Sequence, residues 1–254
     1  PQNLHIRQGV SFSTKKPRSA PDSILVHDNA GGGHPAEFLD SKGLGVHFII
    51  ELDGKIWVGG DPVLDQFAHG GAWNARTVGV ELRQPFTYEG RHALHTERLS
   101  SAGRLNKNKP FPLYTDAQLL AFAGLVDFLW ASIPSLTQAF PAVSAAGVPL
   151  HQPWSGNGGG VLAHHHTYSG HVDGTIPPAV AYYLRQGHSL ESAKRKLASD
   201  LGGTIEPIPA SERGPFKPLG PSMAPPELRC PGGACSVKKG GGGAHGGAWK
   251  IAYA

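Results

Sequence analysis

The sequence predicts an α/β fold in which a mixed central β-sheet is flanked by helices and followed by a Pro/Gly-rich C-terminal tail. Three observations favour this class. Short aliphatic runs alternate with stretches of helical periodicity. An Asp-Gly dipeptide separates two strand-like runs, which indicates a hairpin. Hydrophobic residues make up 39% of the 254 residues, an ordinary share for a chain that buries a core.

The strands are predicted from aliphatic runs. SILVHDNA, which begins at Ser23, predicts a buried strand whose end reaches a surface. GVHFIIELDGKIWVGG predicts two strands joined at Asp53 and Gly54, because this dipeptide tolerates the positive φ angles of a tight turn. TVGVELR and GGGVLAH predict two further strands.

The clearest helix is predicted in YTDAQLLAFAGLVDFLWASI. Thr115 and Gln118 form a T-x-x-Q capping box there, and apolar residues follow at helical spacing, so this helix should lie against the sheet. PPAVAYYLRQG predicts a helix with prolines at its start. SLESAKRKLASDLG predicts an amphipathic helix closed by Gly202.

These elements place one folded domain at residues 22–202, between a polar arm at 1–21 and a tail at 203–254. The tail composition cannot build its own core, so we expect the tail to pack on the domain or on a neighbouring subunit. Its two cysteines, Cys230 and Cys235, are equally consistent with a local disulfide and with two free thiols. A basic loop at about 84–112 is expected to be either functional or disordered.

The net charge of +4 and the pI near 9.1 favour anionic surfaces such as cell wall, nucleic acid or lipid headgroups without selecting among them. Nucleic acid is not the expected partner, because no recognition-helix pattern, aromatic RNA-binding signature or zinc-finger spacing is present. Membrane insertion is not expected either, since no apolar run approaches the roughly 20 residues that cross a bilayer. A signal peptide is not expected, because the chain shows no basic start followed by an apolar segment.

Histidines end or flank three of the predicted strands: His27, His47 and His164. A catalytic zinc usually takes three ligands from His, Asp, Glu or Cys and keeps one position for water. A strand end suits such a ligand, because the sheet orients the imidazole while the end opens toward solvent. A lone histidine there is nevertheless more often hydrogen-bonded structure than a ligand, and the triplet at 164–166 alone would indicate a solvated run.

Five blocks follow one another along the chain: ILVHDNA, GLGVHFIIELDGKIWVGG, AHGGAWNARTVGVEL, YTDAQLLAFAGLVDFL and GVLAHHHTYSGHVDG. In this order they resemble the zinc-dependent N-acetylmuramoyl-L-alanine amidases, a family that includes the amidase-type phage lysozymes and is related to the peptidoglycan recognition proteins. The resemblance spans roughly residues 22–188 and implies that the domain at 22–202 is an amidase catalytic domain.

The resemblance implies one Zn²⁺ per chain, with His27 as the first ligand and Asp173, in the turn HVDG, as the third. The family spacing permits either His164 or His165 as the second ligand. His164 is preferred because it directly follows VLA, as the family ligand follows its strand, and because strand alternation would turn His165 the other way.

The resemblance also assigns the remaining site residues. Glu81 in TVGVELR is the expected general base, because Val46 stands where other members carry a tyrosine. His171 stands where the family often has lysine and is expected to stabilise the oxyanion together with zinc.

A family segment on the cleft wall matches three more residues, His69, Trp73 and Asn74. These residues are expected to contact the glycan or the stem peptide of the substrate. For His69 a structural role is equally open.

The implied function is hydrolysis of the amide bond between N-acetylmuramic acid and L-alanine. Peptidoglycan is the implied partner, at a periplasmic, extracellular or phage-delivered location. The alternative is a non-catalytic peptidoglycan-binding or phage-particle structural protein on the same fold, with the tail at 203–254 making homo-oligomer or particle contacts.

Overall fold

The computed structural model describes residues 6–8, 12, 16–28, 34–83, 114–141, 158–167, 173–174, 176–201, 234–237 and 249–252. The strands in these ranges are β1 (Ile6–Gln8), β2 (Lys16–Pro17), β3 (Ser23–Asp28), β4 (Phe48–Ile50), β5 (Ile56–Val58), β6 (Asp65–Gln66), β7 (Thr77–Leu82), β8 (Gly160–Ala163), β9 (Ala234–Val237) and β10 (Trp249–Ala252). The helices are α1 (Pro35–Ser41), α2 (Asp116–Ser132), α3 (His164–Thr167), α4 (Ile176–Arg185) and α5 (Leu190–Leu201), with a 3₁₀ turn at Gly71–Trp73.

Among the described residues, six strands form one mixed sheet in the order β1-β5-β4-β7-β3-β8. Strands β4, β7, β3 and β8 run parallel, whereas β5 is antiparallel to β4. The predicted mixed sheet and the predicted hairpin are therefore confirmed, and Gly54 adopts φ +81° in the turn. Because the four parallel strands point the same way, their carboxyl ends lie along one edge of the sheet.

One face of the sheet is covered by α2, α4 and α5. Alternate residues of the strands, such as Val26 and Val80, pack with the buried faces of these helices in the larger apolar cluster. The predicted capping box is present, because Thr115 Oγ1 accepts a hydrogen bond from Gln118 N–H and Gln118 Oε1 accepts one from Thr115 N–H. Gln118 Nε2 also donates to the carbonyl of Arg83 at 2.7 Å, which joins the start of α2 to the end of β7.

The opposite face carries two smaller apolar clusters. Leu25 and Leu162 pack with Trp73 in the first, and the second contains Phe12, Ala36, Leu39, Val46, Ile49 and Phe67. Polar strand residues alternate with these apolar ones on the same face. This face is therefore the one that can present catalytic groups.

Two short strands lie within residues 1–21, the range for which the sequence predicted a polar arm. β1 pairs in parallel with β5 in the main sheet, and β2 pairs with β6. Phe12 is buried edge-on against Phe67, with ring centroids 5.4 Å apart. Strands of two or three residues are too short for a visible alternation, which is why the sequence pattern did not predict them. The domain boundary at residue 22 stays a prediction.

In the C-terminal tail, β9 and β10 pair in antiparallel orientation, and Cys235 lies in β9. Cys230 and the basic loop at 84–112 lie outside the described residues. The packing of the tail at 203–254 stays a prediction. None of the helices in the described ranges is long and apolar enough to cross a membrane.

Candidate metal centre

Three candidate ligands from distant parts of the chain meet at the carboxyl ends of β3 and β8. Asp173 Oδ2 lies 3.6 Å from His27 Nδ1 and 3.2 Å from His164 Nδ1. One ligand atom from each residue lies within 4.8 Å of the other two. The structure thus brings together the three residues for which the sequence predicted a metal-binding role.

The spacing of these atoms fits a zinc ion. Bonds of about 2.0–2.1 Å in tetrahedral geometry place two ligand atoms about 3.3 Å apart, close to the two separations observed. His27 and Asp173 are buried, and His164 is half-buried. A set of two imidazoles and one carboxylate is a typical donor set of a catalytic zinc site.

His164 is placed differently from the strand end that the sequence predicted. β8 ends at Ala163, and His164 begins the short helix α3. Within this helix, the hydroxyl of Thr167 donates a hydrogen bond to the carbonyl of His164 at 3.0 Å. His166 is buried, and its Nδ1 accepts the N–H of Ala163 at 3.2 Å. The strand-alternation argument against His165 therefore does not apply, and the side chain of His165 lies outside the described residues.

The turn that carries Asp173 is held by Asp28, a residue that the sequence interpretation did not assign. Asp28 Oδ2 accepts the N–H of Gly174 at 3.0 Å and the hydroxyl of Tyr114. The N–H of Asp28 points at Asp173 Oδ2 at 3.4 Å. The signal in the sequence was an acidic residue directly after the ligand in ILVHDNA, but its partners become visible only in three dimensions.

Gly174 is required in this turn for two reasons. Its φ of +76° is a conformation that side chains disfavour. A Cβ at this position would also lie 2.2 Å from the carbonyl oxygen of Val26. The glycine therefore lets the turn approach the backbone of β3, so that Asp173 reaches His27.

Glu81 lies next to His27 across two parallel strands. The two residues are register partners in β3 and β7, and Glu81 also faces Ile49 of β4. Register partners in neighbouring strands project from the same face of a sheet, with backbones about 4.8 Å apart. Glu81 is buried, with 4% of its surface exposed. The structure therefore places the predicted base on the face that carries the candidate ligands.

The three predicted cleft-wall residues lie beside the metal centre. His69 Nδ1 is 3.0 Å from His27 Nε2. Asn74 Oδ1 accepts the backbone N–H groups of His69 and Gly70 at 2.9 and 2.6 Å. Trp73 packs against the small apolar cluster of β3 and β8. Contact between these residues and a substrate stays a prediction.

Burial and the charge of the neighbouring histidines, among them His27, hold the pKa of His69 well below its usual range. His69 is therefore neutral at neutral pH. A neutral imidazole has one N–H donor and one acceptor nitrogen.

His47 is not brought into the metal centre. Its ring is fully buried, Nδ1 accepts the N–H of Gly79 at 2.9 Å, and Nε2 donates to the carbonyl of Asp65 at 2.8 Å. Burial, with a smaller effect of the Arg18 charge, lowers the pKa of His47 to about 3. His47 is thus a neutral structural residue that joins the start of β4 to β7 and to β6.

A buried ion cluster occupies the same sheet edge two strands away. Glu51 contacts His34 Nε2 at 2.7 Å and Arg83 Nη1 at 3.0 Å. Burial acts to raise the pKa of Glu51, but the hydrogen bond and charge of His34, together with Arg83, lower it overall. The sequence interpretation did not identify this cluster. It joins the carboxyl ends of β4 and β7 to the start of α1.

Neither a protein-family model nor a curated protein sequence matches the chain. Solved structures do match. The N-acetylmuramoyl-L-alanine amidase LysC from Clostridium intestinale URNW is 15% identical, over 65% of this chain and 86% of that chain, with a TM-score of 0.41. The Drosophila peptidoglycan recognition protein SA is 16% identical, over 66% and 84%, with a TM-score of 0.39.

A third match is the Staphylococcus aureus hydrolase AmiA, in complex with its ligand. It is 15% identical, over 80% of this chain and 88% of that chain, with a TM-score of 0.40. The solved structures that the chain resembles thus include both kinds of protein named from the sequence motifs. All three TM-scores lie below 0.5, so these likenesses carry no argument about function.

Proposed function

We propose that this chain is a zinc-dependent peptidoglycan amidase that hydrolyses the amide bond between N-acetylmuramic acid and L-alanine. The observation that carries the proposal is the convergence of His27, His164 and Asp173, with Glu81 beside His27 in the sheet. Three protein ligands leave one position of a tetrahedral zinc for water or substrate. A buried carboxylate on the same face of the sheet can serve as the general base of a hydrolytic reaction.

The roles of the residues follow from their chemistry. Zn²⁺ held by the three ligands would supply Lewis acidity and lower the pKa of water from about 15.7 toward 7. Glu81 accepts a proton from the attacking water and returns it to the departing amine. His171, which lies outside the described residues, is proposed to donate a hydrogen bond to the oxyanion.

The substrate is proposed from the sequence. Five blocks between residues 22 and 188 resemble the amidase family in order, and the match includes every residue of the proposed centre except His171, where lysine is common. A net charge of +4 suits an anionic cell wall. His69, Trp73 and Asn74 are proposed to line the cleft for the glycan or the stem peptide.

The competing function is peptidoglycan binding without catalysis, in a recognition or phage-particle protein. A non-catalytic binder needs neither a complete ligand set nor a buried acid beside it. The presence of all three ligands together with Glu81 favours the enzyme.

The test is incubation of the purified chain with purified peptidoglycan. We expect release of free L-alanine amino groups, without new reducing sugar ends, at one zinc per chain. A chelator should abolish the release, and added Zn²⁺ should restore it. Binding to peptidoglycan with no amino-group release at full zinc occupancy would establish the binding function instead.

A further inference from the structure

We infer that His69 is a positioning residue that sets the tautomer of His27, so that His27 Nδ1 keeps its lone pair toward His164 and Asp173. The inference deepens the proposed function, because it concerns the same metal centre. It assigns His69 a role different from substrate contact. Hydrogen bonds join four residues in a row, Trp73, Thr77, His69 and His27, so that each hydrogen position restricts the next.

The count begins at a group with only one possible role. The carbonyl of Trp73 can only accept, and Thr77 Oγ1 donates its hydrogen to it at 2.8 Å. Because this hydrogen points at Trp73, Thr77 Oγ1 can only accept a hydrogen bond from His69 Nε2, which lies 3.4 Å away. His69 Nε2 therefore carries the proton of that ring and donates it to Thr77.

The position of the hydrogen on His69 determines the position of the hydrogen on His27. With its proton on Nε2, neutral His69 has a lone pair on Nδ1, which lies 3.0 Å from His27 Nε2. His27 Nε2 therefore carries the proton and donates. A metal binds only a ring nitrogen that carries no hydrogen. With the hydrogen on Nε2, that nitrogen is His27 Nδ1, which lies 3.6 Å from Asp173 Oδ2.

The opposite proton arrangement has different consequences. If His69 carried its proton on Nδ1, His27 Nε2 would have to accept it, and His27 Nδ1 would carry a hydrogen directed at Asp173. That hydrogen would occupy the position of the metal. The Thr77 hydroxyl thus selects the arrangement in which His27 Nδ1 carries no hydrogen, through two hydrogen bonds and without touching the ion.

The segment AHGGAWNARTVG is built to hold His69 in this position. The ring lies against Gly79 of β7, where a Cβ would be 2.9 Å from ring atoms of His69. Asn74 closes the loop by accepting two backbone N–H groups, those of His69 and Gly70. Partners of this kind behind a metal-binding histidine usually orient the ring and determine which nitrogen binds.

Two pairs of variants test the inference through zinc affinity, measured by competition with a chromogenic chelator. His69→Leu removes the acceptor and should weaken Zn²⁺ binding about 10- to 100-fold, the usual range for such partners. His69→Asn can return an acceptor oxygen and should recover part of the loss. Thr77→Val keeps the shape of threonine and should weaken binding by about 10-fold or less, whereas Thr77→Ser keeps the hydroxyl and should bind like the parent.

A second measurement reads the tautomers directly in the metal-free protein, by long-range ¹H–¹⁵N correlation of the histidine rings at neutral pH. In the parent protein, both His27 and His69 should carry their protons on Nε2. In Thr77→Val the two rings should show a mixture of tautomers, and Thr77→Ser should restore the parent spectrum.

The outcomes separate this inference from the proposed function. A proton on His27 Nδ1 in the parent, or unchanged tautomers and zinc affinity in Thr77→Val, would overturn the role of His69. Failure of the parent protein to bind zinc would overturn the proposed function, while the metal-free spectra would still decide the tautomers. Because Thr77→Val is nearly isosteric, the test stands even if His69→Leu fails to fold.

Discussion

His27 and His47 have similar sequence contexts and opposite roles in the structure. Both histidines are buried: His27 lies in β3 and His47 directly precedes β4, and these two strands both pair with β7. Both ring nitrogens of His47 bond to the backbone, at Gly79 and at the carbonyl of Asp65. The ring nitrogens of His27 face the side chains of His69 and Asp173.

This difference shows what separates a structural histidine from a candidate ligand. Backbone groups on both sides fully satisfy a neutral imidazole, so that no nitrogen is left for a metal. In His27, the nitrogen that faces the acceptor on His69 carries the hydrogen. The other nitrogen then has a lone pair next to the negative charge of Asp173. Position along the strand matters too, because His27 lies near the carboxyl end of β3 while His47 precedes β4.

The largest expected difference between the two histidines is in zinc content. His27→Ala should lose the zinc and reduce amidase activity by about 10⁴-fold or more, because several kcal/mol of transition-state stabilisation are removed. The folded fraction of His47→Gln should keep one zinc per chain. Metal analysis and amino-group release from peptidoglycan check both variants. Full zinc occupancy in His27→Ala would remove this residue from the ligand set.

The variant Glu81→Gln tests whether Glu81, the neighbour of His27 in the sheet, acts on the substrate and not on the metal. Glu81→Gln should lower kcat by about 10²- to 10³-fold, the size of a general-base contribution, while the zinc content stays at one per chain. Glu191→Gln, at an exposed position of α5, is the matched control and should match the parent. Activity equal to the parent in Glu81→Gln would leave the base unassigned.

Tyr114 contacts Asp28, the residue that holds the turn of Asp173. Tyr114→Phe removes a hydrogen bond to the buried Asp28 carboxylate and should lower the free energy of unfolding by about 1.5–3 kcal/mol. Zinc affinity should decrease by about 10-fold, because Asp28 also holds the turn of Asp173. Urea unfolding and chelator competition measure the two effects. Tyr182→Phe, in α4, serves as control, and equal losses in both variants would contradict a specific role for Tyr114.

The smallest predicted effect concerns the pH dependence contributed by His47. Its pKa of about 3 in the folded protein lies below the ordinary value of 6.5, so the unfolded chain binds more protons between these values. The stability of the metal-free protein should therefore fall as the pH drops from about 6.5 toward 3. His47→Gln should reduce that slope by about 1.4 kcal/mol per pH unit, measured by urea unfolding at pH 6 and pH 5. An unchanged slope would mean that His47 binds protons equally in the folded and the unfolded state.

Much of the fold could be predicted because its signals are local. The apolar run of β3, the hairpin at Gly54 and the capping box of α2 each specify an element within about 20 residues. The strands at the N terminus escaped prediction because they are too short for periodicity. The helix α1 escaped prediction because its 7 residues are too few to show helical periodicity.

The site was predictable only in part, for a different reason. The motifs named His27, His164, Asp173 and Glu81, but no local pattern shows that Asp28 holds the turn of Asp173. Nor does a pattern show that Thr77 contacts His69, because the Trp73 carbonyl that fixes its hydroxyl is a backbone group. The position of a backbone carbonyl depends on the fold and not on the type of residue that carries it.

The sequence by itself determined which chemical groups the chain carries and which segments become strands and helices, since periodicity, capping and turn residues act over short distances. The tertiary structure decided which histidine has both nitrogens satisfied by the backbone and which one faces a carboxylate. This difference depends on the register of the parallel strands β3 and β7. It depends also on the turn at Gly174, which contacts Asp28 of β3 although the two residues are 146 positions apart in the sequence. Contacts between such distant segments form only when the whole sheet is assembled.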